Sequence, residues 1–515
     1  MTIENLYNEN LELKNQNGIL SAELLLKEDR LKRYERYNEQ LEEALKLLRH
    51  RSFAPRSEKI PPEQFVFNEI EVEAVLSSEE NEEDTSQLDM IHVPAHTKKK
   101  PKRKVLPKNL PREVVTIVLP EEQRKCPHDG AELKVIGKEV SERIDTIPMV
   151  MKVVETHRLK YACPCCEAHV KTAPVALSLI PKGMATAGTL AFIATSKFCD
   201  GLSLYHTAEM FERNGVDLSR GSMAHWMIRC AEACQPLINL LEEDLLLRSY
   251  VQMDETTIQV LKEVGKKPQT KSYMWIRAAP QKEKPIILFD YDPTRSGAVP
   301  KRLMQEFKGK LQCDGYNGYN ELEANLDVTR FGCMAHGRRK FKEAVIAVSS
   351  SLSVAKHALK LVQKLYRLEE IFANYSDEER LKARQEKSKI IFEELKAWIE
   401  KHLHKVPPKS TSGKALMYFQ NERVYLERYL EHGEVHIDNN FIENKIRPFA
   451  VGRNRWLFSD TVEGAKASAI LYSLVETAKA NNVEPYKYLR NIFEKLPLAK
   501  TLADYEELLP WNLKI

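Results

Sequence analysis

The chain has 515 residues, 43% of them hydrophobic and 30% charged, and a formal net charge of +4; that length exceeds what one core supports and predicts three or four units. No apolar run nears the roughly 20 residues of a bilayer-spanning helix, and the N-terminus lacks the basic-then-apolar order of a secretory signal, so a membrane protein is disfavoured and a cytoplasmic one expected. With so small a net charge, any affinity for nucleic acid has to come from local basic patches.

The first element is a heptad. Leu6, Leu13, Leu20, Lys27, Tyr34, Leu41 and Leu48 share one seam position, and Asn10, Asn17, Leu24, Leu31, Asn38 and Leu45 the other. Residues 1–50 therefore read as a coiled coil with polar interruptions that set register, implying self-association; the competing reading is a long helix folded back on its own chain. Pro55 ends it. Residues 51–105, with an acidic tract (SSEENEED) and a basic one (KKKPKRK), cannot bury apolar surface and read as a linker.

Residues 106–178 carry a cysteine knuckle, Cys163-Pro-Cys-Cys166, preceded by Cys126-Pro-His128-Asp129-Gly130. Paired knuckles suit tetrahedral zinc, but here Asp129 stands where the first would need its second thiol. Cys126, Cys163 and Cys166 with His128 or Asp129 could close a Zn2+ site; the alternative is a small β-rich module whose cysteines bind nothing. Residues 179–247 read as three helices, Gly188 to Cys199, Ser203 to Asn214, and one capped by Ser219 running through Cys234. That pattern fits a helix-turn-helix or any small bundle.

From residue 248 the pattern becomes strand-like. Tyr250 to Met253 is expected as a strand ending at Asp254, followed by strands at Thr256 to Leu261, Tyr273 to Ala278 and Ile286 to Tyr291. A helix over Pro300 to Phe307 then leads to a strand, Leu311 to Cys313, ending at Asp314. Antiparallel strands, a helix, then a strand beside the first is the ribonuclease H-like order, which brings two strand-end carboxylates side by side. The predicted architecture is thus an α/β multidomain chain. Its ribonuclease H-like core (248–344 and 431–462) is interrupted by an inserted helical domain (345–430) and followed by a helical tail (463–515).

The core resumes in a dense polar stretch. Asn440 to Arg447 is expected as a short helix, with Asn439 as N-cap, closed by Pro448. Glu443 lies within it, one turn before Arg447. Asp254, Asp314 and Glu443 form a D…D…E set able to hold two divalent ions roughly 3.5–4 Å apart for phosphodiester chemistry, and oxygen-only ligands favour Mg2+ or Mn2+. Asp438 competes for the third position but precedes the helix. Singly, each acid has a plain structural reading as a turn residue or ion-pair partner, so the case rests on their order and basic surroundings. Lys445, Arg447, Arg453 and Arg455 are candidate phosphate contacts, and Trp456 a stacking platform or a core residue. Cys333 and His336, a C-x-x-H at a strand end, either support the carboxylates from behind or simply pack.

Four motifs, QMDET (Gln252 to Thr256), LQCDGYNGYN (Leu311 to Asn320), AHGRRKF (Ala335 to Phe341) and DNNFIENKIRPFAVGRNRWLF (Asp438 to Phe458), together resemble DDE transposases of the insertion-sequence-66 family. The similarity also takes in RSFAPRSEK, the cysteine module, SKFCDGLSLYHTAEMF and the LLPW tail. The resemblance implies DNA transposition with Asp254, Asp314 and Glu443 as the metal triad. It also implies a zinc finger, from which Asp129 departs. Double-stranded DNA, a second copy through the coiled coil and small accessory proteins of the same element are the implied partners, with nucleoid association when DNA is bound. A nuclease that cuts without joining, and a non-catalytic DNA-binding or assembly protein, are the rival readings.

Overall fold

The computed structural model describes residues 3–53, 151–162, 170–281, 283–325, 327–347 and 354–513, which fall into two units, 80–173 and the rest of the chain. Cys126, His128, Asp129, Cys163 and Cys166, and the linker over 54–105, lie outside the described residues. In the smaller unit, β1 (Lys160–Ala162) and β2 (Val170–Thr172) form an antiparallel hairpin. The Arg158 guanidinium bonds the Ala173 carbonyl at its base.

In the larger unit, α1 (Ile3–Phe53) stops two residues before Pro55. Its seam residues Leu20, Leu24, Leu31, Tyr34, Leu41, Leu45 and Leu48 are all exposed within this single chain. Its C-terminal part meets the later helices, where Glu43 accepts hydrogen bonds from the Thr411 backbone N–H and hydroxyl.

Helices α2 (Ala187–Phe198), α3 (Leu204–Arg213) and α4 (Arg220–Leu246) follow, capped by the side-chain oxygens of Thr186, Ser203 and Ser219. The third, expected to run only through Cys234, continues past Pro236. The buried stripe Met223, Met227, Cys230, Cys234, Leu237, Leu241 and Leu245 crosses the proline without losing phase. Burying leucines at roughly 1.5–3 kcal/mol each outweighs the roughly 3 kcal/mol cost of an interior proline.

The six-stranded sheet is mixed. Strand β3 (Tyr250–Lys262) pairs antiparallel with β4 (Lys271–Ala279), which pairs antiparallel with β5 (Ile286–Asp292). After α5 (Ala298–Leu303), β6 (Gly309–Gln312) lies parallel to β3 on its other side; α6 (Asn320–Asn325) then leads to β7 (Val328–Phe331), parallel to β6. The strand order is β5-β4-β3-β6-β7. The two short strands expected around Asp254 are one strand, so Asp254 sits within β3 and not at a strand end. The continuous pairing of β4 from Gln252 to Gln259 carries the thirteen-residue strand straight through that position.

Beyond β7 come α7 (Met334–Ala347), α8 (Val354–Ile371), α9 (Asp377–Ala383), α10 (Lys389–Leu403) and α11 (Thr411–Glu427). Leu359, Leu365, Phe392 and Phe419 from these helices share one buried cluster with Tyr250, Phe331, Val435 and Ile437. The core of the helical segment is therefore continuous with the edge of the sheet. The fully buried Arg384 fastens the return of the chain, pairing with Glu369 and bonding the carbonyls of Tyr429 and Val435.

The chain then enters α12 (Asn440–Trp456), which corrects the expectation of a short helix ending at Arg447: the helix runs through Pro448 and stops only at Trp456. Asn439 precedes it as expected, but its side chain makes no capping hydrogen bond. Ile442, Ile446, Phe449 and Gly452 form the buried face on both sides of the proline, so packing again overrides the local break. Phe449 meets Phe289 and Tyr472 at ring separations of 6.2 and 5.3 Å. Gly452 is needed for close approach, because a Cβ there would lie 2.9 Å from the Tyr472 hydroxyl. Strand β8 (Ser459–Thr461) then pairs parallel with the far end of β3.

Helix α13 (Val462–Ala480) closes the opposite edge of the sheet. The Thr477 and Ser473 hydroxyls accept from the Ile287 and Phe289 N–H groups of β5 at 3.0 and 2.8 Å, which blunts an edge that would otherwise be open to pairing. Helices α14 (Pro485–Lys495) and α15 (Leu502–Glu506) complete the chain. No helix among the described residues is long and apolar enough to cross a membrane.

Candidate active site

Strand register brings the two aspartates together. Tyr250, Val251 and Gln252 pair with Lys310, Leu311 and Gln312, and side chains alternate faces along a strand. Two residues further on stand Asp254, within β3, and Asp314, just past the end of β6, near enough for the charge of Asp314 to act on Asp254. Each aspartate is steadied locally: Asp254 Oδ1 accepts from the Glu255 N–H at 2.8 Å, and Asp314 Oδ1 from the Tyr316 N–H at 2.9 Å. The buried Arg330 donates to the Asp314 carbonyl at 2.8 Å and to Glu422 of α11 at 2.7 Å, which ties the aspartate's loop to the inserted helices.

Glu443 reaches the same place from the first turn of α12. Its position follows from a buried polar ladder that sequence reasoning missed. The Gln252 amide oxygen accepts from the Ile442 N–H at 3.1 Å, and its amide nitrogen donates to the Asp438 carbonyl at 3.3 Å. Gln312 donates to the carbonyls of His436 and Gly332 at 2.8 and 3.1 Å, and Tyr250 donates to the Gln312 side chain. Both glutamines are fully buried. The signal was available: each candidate aspartate is preceded two residues earlier by a glutamine, at Gln252-Met-Asp254 and Gln312-Cys-Asp314.

The charges in this cluster repel. Burial first, then the fields of Glu255, Asp314 and Glu443, push the Asp254 carboxyl well above the usual carboxylate range. Burial and Asp314 likewise raise Glu255, against the pull of Arg295 and Tyr319. Glu255 points to the other face of β3, with Arg295 Nε at 2.7 Å. Glu443 has Arg339 at 3.3 Å and His336 Nδ1 at 3.6 Å, and its Oε1 is buried with no hydrogen-bond partner. Cys333, His336 and Glu443 offer ligand atoms within 4.8 Å of one another. Asp438 is engaged elsewhere: it accepts from the Tyr366 hydroxyl and the Asn440 side chain, and burial lifts its carboxyl to about 6.

The candidate DNA contacts divide. Lys445 lies 4.0 Å from Glu476, and Arg447 is half-buried within the field of Glu443. Arg453 donates to the Thr257 hydroxyl of β3 at 2.9 Å, and the exposed Arg455 to the Asp200 carbonyl at 3.1 Å. Trp456 packs edge-on against Phe449 with the Lys197 ammonium 5.0 Å from its ring.

Residues 182–467 match the family described as Transposase IS66 family. The chain belongs to the IS66 transposase family. Residues 473–511 match the IS66 C-terminal element, 123–167 the zinc-finger binding domain of transposase IS66, and 40–115 the Transposase C of IS166 homeodomain. Among relatives, uncharacterized protein y4qI of Sinorhizobium fredii is 32% identical, covering 91% of this chain and 88% of that protein. Uncharacterized protein y4jD of the same organism is 31% identical over 79% of this chain and 81% of its own length. No solved structure matches the chain.

Proposed function

We propose that this IS66-family chain is a DNA transposase whose ribonuclease H-like core cuts at the ends of an insertion sequence and joins the freed 3′-OH to target DNA. The observation that carries the reading is the convergence of Asp254, Asp314 and Glu443: burial first, then the neighbouring carboxylates, raise the Asp254 carboxyl. The order β5-β4-β3-β6-β7, antiparallel on one side of β3 and parallel on the other, supports the core assignment.

The donors fit a hard divalent cation: oxygen atoms throughout, an unpartnered buried Oε1 on Glu443, and negative charge with too little positive charge around it. Asp254, Asp314 and Glu443 would hold Mg2+ or Mn2+, two ions, which activate the attacking oxygen and steady the leaving one in an in-line displacement. The chain's own residues set the stage. Gln252 and Gln312 hold the entry to α12 in register with the aspartates, and Arg330 fixes the Asp314 loop. Lys445 and Arg447 lie on the same helix as Glu443 and supply positive charge for phosphates. The exposed seam of α1 would bring two copies together, as paired element ends require.

The test is a strand-transfer assay with a pre-cut 3′ end of the element and target DNA. Joined products that vanish in Asp254→Asn support a transposase. Cutting without joining identifies a nuclease, and an Asp254→Asn variant that keeps every activity in cells identifies a non-catalytic DNA-binding protein.

A further inference from the structure

We propose that Cys333, His336 and Glu443 form a site for one borderline transition-metal ion, Zn2+ by its chemistry, which withdraws Glu443 from the aspartates when occupied. The proposal goes beyond the transposition reading; ion binding at the site is tested without it, and only the competition for Glu443 rests on it.

The donor set is the first ground. A thiol, an imidazole and a carboxylate lie within 4.8 Å of one another, the mixture of S, N and O that zinc accepts and Mg2+ does not. A tetrahedral ion with bonds of about 2.0–2.3 Å wants donors roughly 3.5 Å apart, so side-chain rotations of about an ångström close the set. Three protein ligands leave one position open.

The second ground is hydrogen bonding. His336 Nδ1 and Glu443 Oε1 are both buried and face each other at 3.6 Å, yet neither makes a hydrogen bond, a costly arrangement that an ion bridging the two would relieve. Cys333 is only 1% exposed, and its sulfur is approached by the Asn439 N–H at 3.5 Å.

The platform is rigid enough to hold an ion. Cys333 and His336 flank the start of α7, and Glu443 sits in the first turn of α12. The Met334 N–H bonds the Ile437 carbonyl at 3.1 Å, linking the two segments directly. Ion binding replaces the thiol proton, which passes to solvent. Because Glu443 belongs to both sets, Zn2+ at this site and Mg2+ at the aspartates compete for one carboxylate.

Co2+ serves as the probe, in the full-length chain carrying Cys126→Ser, Cys163→Ser, Cys165→Ser and Cys166→Ser so that the thiols of that module contribute no signal. The expected result is a thiolate-to-Co2+ absorption band that saturates at one equivalent and is displaced by Zn2+. It should be lost in Cys333→Ser and in His336→Ala. Glu443→Gln keeps sulfur and imidazole, so there the band survives but needs more Co2+ to saturate, a graded effect that misfolding would not give. Absence of the band in the parent, or its persistence in Cys333→Ser, overturns the proposal. These titrations contain no DNA, so their outcome is separable from that of the strand-transfer assay.

Discussion

At the start of α12, Glu443 lies close enough to Asp254 for its charge to act on that carboxyl, with Arg339 and His336 beside it. At the end of the same helix, Arg453 and Arg455 donate to the protein itself, to Thr257 of β3 and the Asp200 carbonyl. One helix of seventeen residues thus does two kinds of work. What a charge does here depends on the element it faces: the first turn looks onto the registered aspartates, and the last onto a strand and a loop that need donors.

The most severe test of this division is neutralising an acid. Asp254→Asn or Glu443→Gln should lower end cleavage by about 10³-fold or more, roughly 4 kcal/mol of transition-state stabilisation, while the metal-free protein melts no lower than the parent because repulsion has been relieved. A variant that loses stability together with activity would place that acid in the frame rather than the site.

Next in size is the ladder between the halves. Gln252→Leu strips partners from the Ile442 N–H and the Asp438 carbonyl, at about 1–3 kcal/mol for each buried group left unpaired. Denaturant unfolding should show the loss. At a temperature where the variant is fully folded, cleavage should still be impaired, since Glu443 is no longer held in register.

The arginines sharpen the contrast. Arg453→Ala should cost about 1–2 kcal/mol of stability and leave the salt dependence of DNA binding unchanged. Arg447→Ala should do the reverse, lowering the slope of log K against log salt by about 0.9 with stability nearly constant. Binding isotherms at several salt concentrations, paired with melting curves, separate the two; identical behaviour would abolish the distinction.

The smallest effect is on pH. Asp254 and Asp438 both sit above the ordinary carboxylate value when folded. Their contribution to stability is therefore fully present below the unfolded value of about 3.9 and lost as pH rises through the folded one; for Asp438 that window closes at about 6. Melts of the chelator-treated protein should fall across this range, and Mg2+ should restore more stability above it than below it. A flat profile would mean these carboxyls are not held in a buried, repelling setting.

Much of this was legible in the chain. The helix starting at Ser203, the cap at Ser219, the strands around Tyr273 and Ile286, and the candidate acids at 254, 314 and 443 are local features, readable from residue type and period. Helix ends at prolines are where local reading fails. Pro236 and Pro448 both lie inside helices because buried faces run through them, and burial is not a local property. The sequence also could not show that the core of the inserted helices, with Phe392 and Phe419, would run on to Phe331 of the sheet.

The sequence by itself carried the family, most of the elements and the three candidate acids, because periodicity, capping and motif order are written along the chain. Only the tertiary structure decided which residues meet. Parallel pairing of β3 with β6 aligns Asp254 with Asp314, Gln252 and Gln312 bring α12 to them, and the start of α7 sets Cys333 and His336 against Glu443. Those meetings join positions far apart in sequence, fixed by strand register and buried hydrogen bonds that no local pattern encodes.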